Sequence, residues 1–240
     1  GFIGIIIKLN ETRQEVPFYK YLSRKNMKVQ EEFQPILDRN IMFKDIHKNK
    51  RLFILCCGPS IKEMDLTVLK NEITMAVHSF YLHKDIGIIR PNYYCSAQWS
   101  YSDELKESLG LKFAKEIKKY MKDSKYFFCV RDREMIKKSG VYDLEEVNYY
   151  DYGNIGESLY DEIDFCQGIM PVQSVPILCL QLALYMGFQE IYLLGTEHDA
   201  ILTGQYTHFY NYDDSIISQS NGETDIQGNL DYPFESILRD

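Results

Sequence analysis

The chain has 240 residues, is 45% hydrophobic and carries a formal net charge of −8, with a pI near 5.2. That length supports one large α/β core or a domain with an appendage. The acidic balance excludes bulk nucleic acid as a partner, since neutralising a phosphate backbone needs a basic face, and no run reaches the ~20 apolar residues of a membrane-crossing helix.

The opening GFIGIIIKLN is a short apolar patch, read as a strand or packing segment. It also leaves room for homo-oligomer contact or peripheral association with the inner face of a membrane, and is too short for a signal peptide. Residues 11–50 are rich in Lys, Glu, Gln and Arg, with Val29, Phe33, Ile36, Leu37 and Ile41 at helical spacing. This predicts one or two amphipathic helices. The division is thus a helical N-terminal segment over 1–50 and one large domain over 51–240.

From Arg51 onward strand and helix signals alternate. Strands are predicted at 52–57, 73–78, 92–97, 126–130, 147–151 and 191–195, and helices at 62–70, 103–121, 132–138 and 174–187. The last helix, SVPILCLQLALYMG, is almost wholly apolar and therefore buried, with Gly187 ending it. Such alternation predicts a Rossmann-like α/β fold, a mostly parallel sheet with helices on both faces. The six cysteines, at 56, 57, 95, 129, 166 and 179, lie mostly in apolar runs without C-x-x-C spacing. They read as reduced core thiols of a cytoplasmic protein. Most of the 19 tyrosines and 13 phenylalanines are expected in the core, and His47 and His83 on the surface.

In a parallel sheet, ligands gather at the carboxyl ends of strands. Here those ends read Cys57-Gly58-Pro59-Ser60, His78-Ser79, Ser96-Ala97-Gln98, Arg131-Asp132-Arg133 and Gly195-Thr196-Glu197-His198. Gly58 lets backbone approach a ligand, Pro59 fixes the exit angle, and Ser60 offers a hydroxyl and a helix cap. The loop is neither a Walker loop nor a GxGxxG fingerprint.

The stretches CCGPSIKEMD, AVHSFYL, ALYMGFQEIYLLGTEHD and GQYTHFY, in this order over roughly residues 51–212, resemble the bacterial CMP-sialic acid-dependent sialyltransferases. They are also similar to the Maf flagellin glycosyltransferases and the archaeal 6-hydroxymethylpterin diphosphokinases. The resemblance implies that Gly58, Pro59 and Ser60 form the nucleotide-phosphate loop, with Cys57 standing where the group has an asparagine. It implies that His78, Ser79, Ser96 and Gln98 face the donor, that Ser174 lines the cytidine pocket and that Thr196 and Glu197 lie near the donor. Tyr206 falls near a tyrosine that binds the donor phosphate, and Asp199 stands where a second such tyrosine is expected.

The activity implied is that of a glycosyltransferase passing a nucleotide-activated sugar, CMP-linked and acidic, to a bacterial surface glycan in polysaccharide biosynthesis. An inverting transfer needs a base for the acceptor hydroxyl and a group to steady the departing phosphate. His208, in the Tyr-rich segment TGQYTHFYNYDD, is the first candidate base, His198 the second, and Tyr206 the candidate for the phosphate. No DxD motif is present, so no metal or cofactor is expected. Mg²⁺ enters only under the alternative of an ATP-dependent pterin-type diphosphokinase, with Glu197, Asp199, Asp213 and Asp214 as its acidic groups. A further alternative is a non-catalytic nucleotide-binding module. Arg131 and Arg133 are candidates to clamp a phosphate or carboxylate.

Overall fold

The computed structural model describes residues 4–8, 31–99, 104–152, 163–172, 174–197, 207–211 and 214–216. Seven strands form one sheet: β1 (Gly4–Lys8), β2 (Arg51–Leu55), β3 (Ile73–Val77), β4 (Tyr93–Cys95), β5 (Lys125–Cys129), β6 (Asn148–Tyr150) and β7 (Glu190–Leu194). Their order across the sheet is β1-β7-β2-β3-β4-β5-β6. Strands β2 to β7 are parallel, and β1 pairs antiparallel with β7 at the edge. The chain therefore steps outward from β2 to β6 and then crosses back, so that β7 lands on the other side of β2. This is a Rossmann-like α/β fold, and the reversal at β2 is where such sheets open a ligand crevice at the strand carboxyl ends.

The strands follow from their composition. Consecutive residues Leu52, Phe53, Ile54 and Leu55 are all buried, as are Tyr126 to Cys129. Near-continuous apolar runs of this kind suit a parallel sheet covered on both faces. Helix α5 (Val175–Tyr185) carries the crossover into β7 and packs against β2, β3, β4 and β7. Leu178, Cys179, Leu182 and Ala183 on it are fully buried, while Leu184 is exposed, so its apolar residues extend past the buried face. After the short α2 (Ile86–Ile89), helix α3 (Glu104–Tyr120) has Glu104 and Glu107 in its first turn and Lys118 and Lys119 in its last, the arrangement that complements a helix dipole. It packs on α4 (Arg133–Ser139).

The segment before β2 is built into this core. Residues 31–43 form short helical turns, including α1 (Gln34–Leu37), and Leu37 and Phe43 belong to the main hydrophobic cluster. The Asn40 amide donates to the carbonyls of Tyr149 at 2.7 Å and Phe165 at 3.0 Å. Asp45 N and His47 N donate to Tyr185 O and Met186 O at the end of α5.

Three local expectations are corrected. Residues 62–70 form no α-helix; two 3-10 turns, Pro59–Glu63 and Leu66–Leu69, flank extended Met64 and Asp65. The Asp65 carboxylate accepts from Thr67 N at 3.1 Å, a local side-chain bond that competes with helix continuation. His47 is not a surface residue: its ring stacks on Phe188 at 4.5 Å and Nε2 lies 2.7 Å from the Tyr93 hydroxyl. His83 is only 3% exposed and lies parallel to the Phe80 ring at 5.3 Å. In both cases the apolar surface that covers the histidine includes residues remote in sequence. All six cysteines are free and buried. Among the described residues no helix is long and apolar enough to cross a membrane.

Candidate functional site

Strands β2 and β7 keep pairing beyond their last residues. Cys56 N donates to Leu194 O at 2.9 Å and Gly58 N to Gly195 O at 2.8 Å. Gly195 has φ +73°, and a Cβ there would come within 2.9 Å of Cys56 O, so this close approach requires glycine. At Gly58 the requirement is contact rather than φ, which is −67°. A Cβ on Gly58 would lie 1.6 Å from Glu197 Oε2 and 2.6 Å from Gly195 O. Glu197 thus fills the notch that the missing side chain leaves. Its Oε1 accepts from Ser60 N at 2.8 Å, while Oε2 is buried and has no partner.

The amides of this loop can be accounted for one by one. Gly58 N is on Gly195 O, Ile61 N on Gly58 O at 3.3 Å, Ser60 N on Glu197, and Pro59 has no N–H. In this arrangement the Gly58, Ser60 and Ile61 amides are all engaged within the chain, and the Glu197 carboxylate occupies the notch at Gly58.

The chain leaves β3 through His78, whose φ of +46° is left-handed and thus a constrained backbone for a residue other than glycine. The Tyr94 hydroxyl donates to its carbonyl at 3.1 Å. His78 Nδ1 is buried without a partner. Burial pushes the imidazole pKa down to about 4, with the neighbouring His208 adding to the shift.

His208 lies over the end of β2. Phe209 N donates to Cys57 O at 3.0 Å, and the His208 ring stacks on Tyr210 at 4.9 Å. Phe209 packs edge-on against Phe80 and His83 at 6.0 and 5.4 Å. Burial lowers the His208 pKa as well, opposed in part by the Cys57 carbonyl. Burial thus holds both imidazoles toward the neutral form, the form with a ring nitrogen that can accept a hydrogen bond.

The other expected residues divide. Ser174 caps the start of α5 in an extended conformation, makes no capping bond, and buries its hydroxyl without a partner. Thr196 is half-buried beside Glu197. Ser79 is fully buried, with its hydroxyl 2.7 Å from that of Ser215. Ser96 is buried; its hydroxyl donates to Ala97 O at 3.2 Å, and its carbonyl accepts from Tyr150 at 2.9 Å. Gln98 is exposed. Cys57 holds its thiol toward Val77 O at 3.6 Å.

Each arginine of the pair faces a carboxylate within the chain. Arg131 Nε donates to the fully buried Asp151 at 3.1 Å, and Arg133 lies 3.6 Å from Glu134. His198, Asp199, Tyr206 and Asp213 lie outside the described residues. Asp214 accepts from the Asn211 side chain at 3.1 Å, and the described residues include no cluster suited to a metal. Two participants were missed from sequence, Phe209 and Ser215. The first was signalled by the aromatic pair next to His208; the second carries no local signal.

A more open groove of about 550 Å³ lies at the opposite, amino end of the strands, lined by Asn49, Lys50, Arg51, Glu72, Gln189 and Glu190 among others. Arg51 and Glu72 pair with each other there, and none of its lining residues holds a buried unpartnered polar atom. Volume alone does not outweigh the polar atoms at the carboxyl ends. No protein-family model, curated protein or solved structure matches this chain.

Proposed function

We propose that the crevice at the carboxyl ends of β2, β3 and β7 binds a nucleotide-activated sugar, CMP-linked and acidic, and that the protein transfers this sugar with inversion to a glycan. One observation carries the reading. His78 Nδ1, Glu197 Oε2 and Ser174 Oγ, all on this edge of the molecule, are buried without partners, beside the lowered-pKa imidazole of His208. Nine buried side-chain atoms among the described residues lack a partner; these three are carried by residues that follow β3 and β7 and open α5, and we read them as the bonds a polar ligand supplies.

The resemblance to sialyltransferases supports glycosyl transfer as the chemistry. The acceptor oxygen bonds to the anomeric carbon as the bond from that carbon to the phosphate oxygen breaks. The electron pair leaves with CMP, and a ring nitrogen of His208 takes the hydroxyl proton.

A thermal-shift panel of CMP, CDP, UDP, GDP and ATP, with and without Mg²⁺, tests the reading. Stabilisation by CMP without metal is expected. A response to ATP only with Mg²⁺ selects the diphosphokinase alternative, and silence toward every nucleotide removes both. His208→Ala should cost roughly 10²–10⁴-fold in turnover while CMP still binds; unchanged turnover would take the base role from His208.

A further inference from the structure

We infer that Glu197 makes the Gly58–Ser60 loop the subsite for a hydrogen-bond donor on the ligand, a hydroxyl or amino group, and not for its phosphate. The inference rests on the crevice being a nucleotide site and says which part of the nucleotide lies where. Three observations carry it. First, every amide of the loop is already bonded within the chain. Second, the carboxylate sits against Gly58 so closely that a Cβ would lie 1.6 Å from Oε2, so glycine at this position makes room for Glu197 itself. Third, Oε1 is satisfied by Ser60 N while Oε2 is buried with nothing to accept from.

An anion brought to this loop would meet a carboxylate of like charge and no free N–H. A hydroxyl or amino hydrogen would instead complete the one unfilled acceptor, and a hydrogen bond to a charged group is among the stronger ones. The ribose hydroxyls and the cytosine amino group are the two donors that a cytidine nucleotide offers. The carboxylate separates both from phosphate by charge.

The test reads Glu197 directly on the whole protein. With glutamate carboxyl carbons labelled with ¹³C, the Glu197 resonance is assigned by its loss in Glu197→Gln, and independently in Glu197→Asp should the first variant fold poorly. D-ribose, cytidine, uridine and inorganic phosphate are then titrated into the wild type. A shift with cytidine and none with phosphate is expected. Uridine and ribose shifting it as well identifies the hydroxyls, whereas cytidine acting alone identifies the amino group. Glu197→Gln should weaken cytidine binding about 10- to 100-fold.

A resonance that moves with phosphate, or stays still with both nucleosides, overturns the inference. The two proposals fail separately. CMP stabilisation with a silent Glu197 removes only this inference, while a Glu197 response to ribose with no nucleotide stabilisation removes only the nucleotide reading.

Discussion

Replacing Gly58 by alanine places a methyl carbon 1.6 Å from Glu197 Oε2 and 2.6 Å from the Gly195 carbonyl oxygen. The carboxylate can swing away, but the carbonyl belongs to the backbone of the β7 exit. Gly58→Ala is expected to lose about 1–3 kcal/mol of stability, and pairing it with Glu197→Ala should recover only part. Urea denaturation of the two variants measures both effects. His78 gives a second prediction at this scale. Its folded pKa of about 4 lies below the ordinary 6.5, so the unfolded chain binds the proton first on acidification. Stability is full above about pH 6.5 and falls as pH drops toward 4, by on the order of 2 kcal/mol once allowance is made for a half-buried ring. His47, His83 and His208 are shifted in the same direction and add to the slope. Asparagine tolerates the left-handed backbone of this position, so His78→Asn should flatten the decline between pH 7.5 and 4.5. A variant that falls as steeply as the wild type would contradict the environment assigned to His78.

Among the elements, α5 shows most clearly what a sequence discloses. Its unbroken apolar run named both its boundaries, to within a few residues, and the burial of Leu178, Cys179, Leu182 and Ala183, although Leu184, 38% exposed, carries the apolar pattern onto the outer face. Leu182, with no exposed surface, should cost about 2–5 kcal/mol as alanine, measured by chemical denaturation. The strands were equally readable, since a parallel sheet needs continuous hydrophobic runs. Two elements were not. The region after β2 looked helical by spacing, yet the Asp65–Thr67 bond diverted it into separate turns, a choice made by two neighbouring side chains and invisible to periodicity. The Asn40 turn was read as an amphipathic helix, and what fixes it is a pair of carbonyls more than a hundred positions away. The site was half readable for the same reason: strand-end residues could be picked out one by one, whereas the bond from Ser60 N to Glu197 exists only once β2 and β7 are neighbours.

For the molecule as a whole, the six buried free thiols make a reporter of global opening. Burial raises the pKa of Cys56, Cys57, Cys129, Cys166 and Cys179, which keeps the reactive thiolate scarce. A thiol reagent should therefore modify almost none of the six in the native protein and all six in denaturant; rapid native labelling of several would show that the core opens locally. The pairing of β1 has a different consequence. Gly4 lies opposite Leu194 and Lys8 opposite Glu190, so β1 cannot pair until β7, far along the chain, has been made. Until β7 emerges, the Ile5-Ile6-Ile7 run has no ladder to join, and the free edge of β2 stands open. When β7 docks, it closes that edge, receives β1 and brings Glu197 to Gly58. One docking event thus ties β1 to the edge of the sheet and sets Glu197 against Gly58, so the polar atoms at that strand end take up their places only once two distant stretches of chain have met.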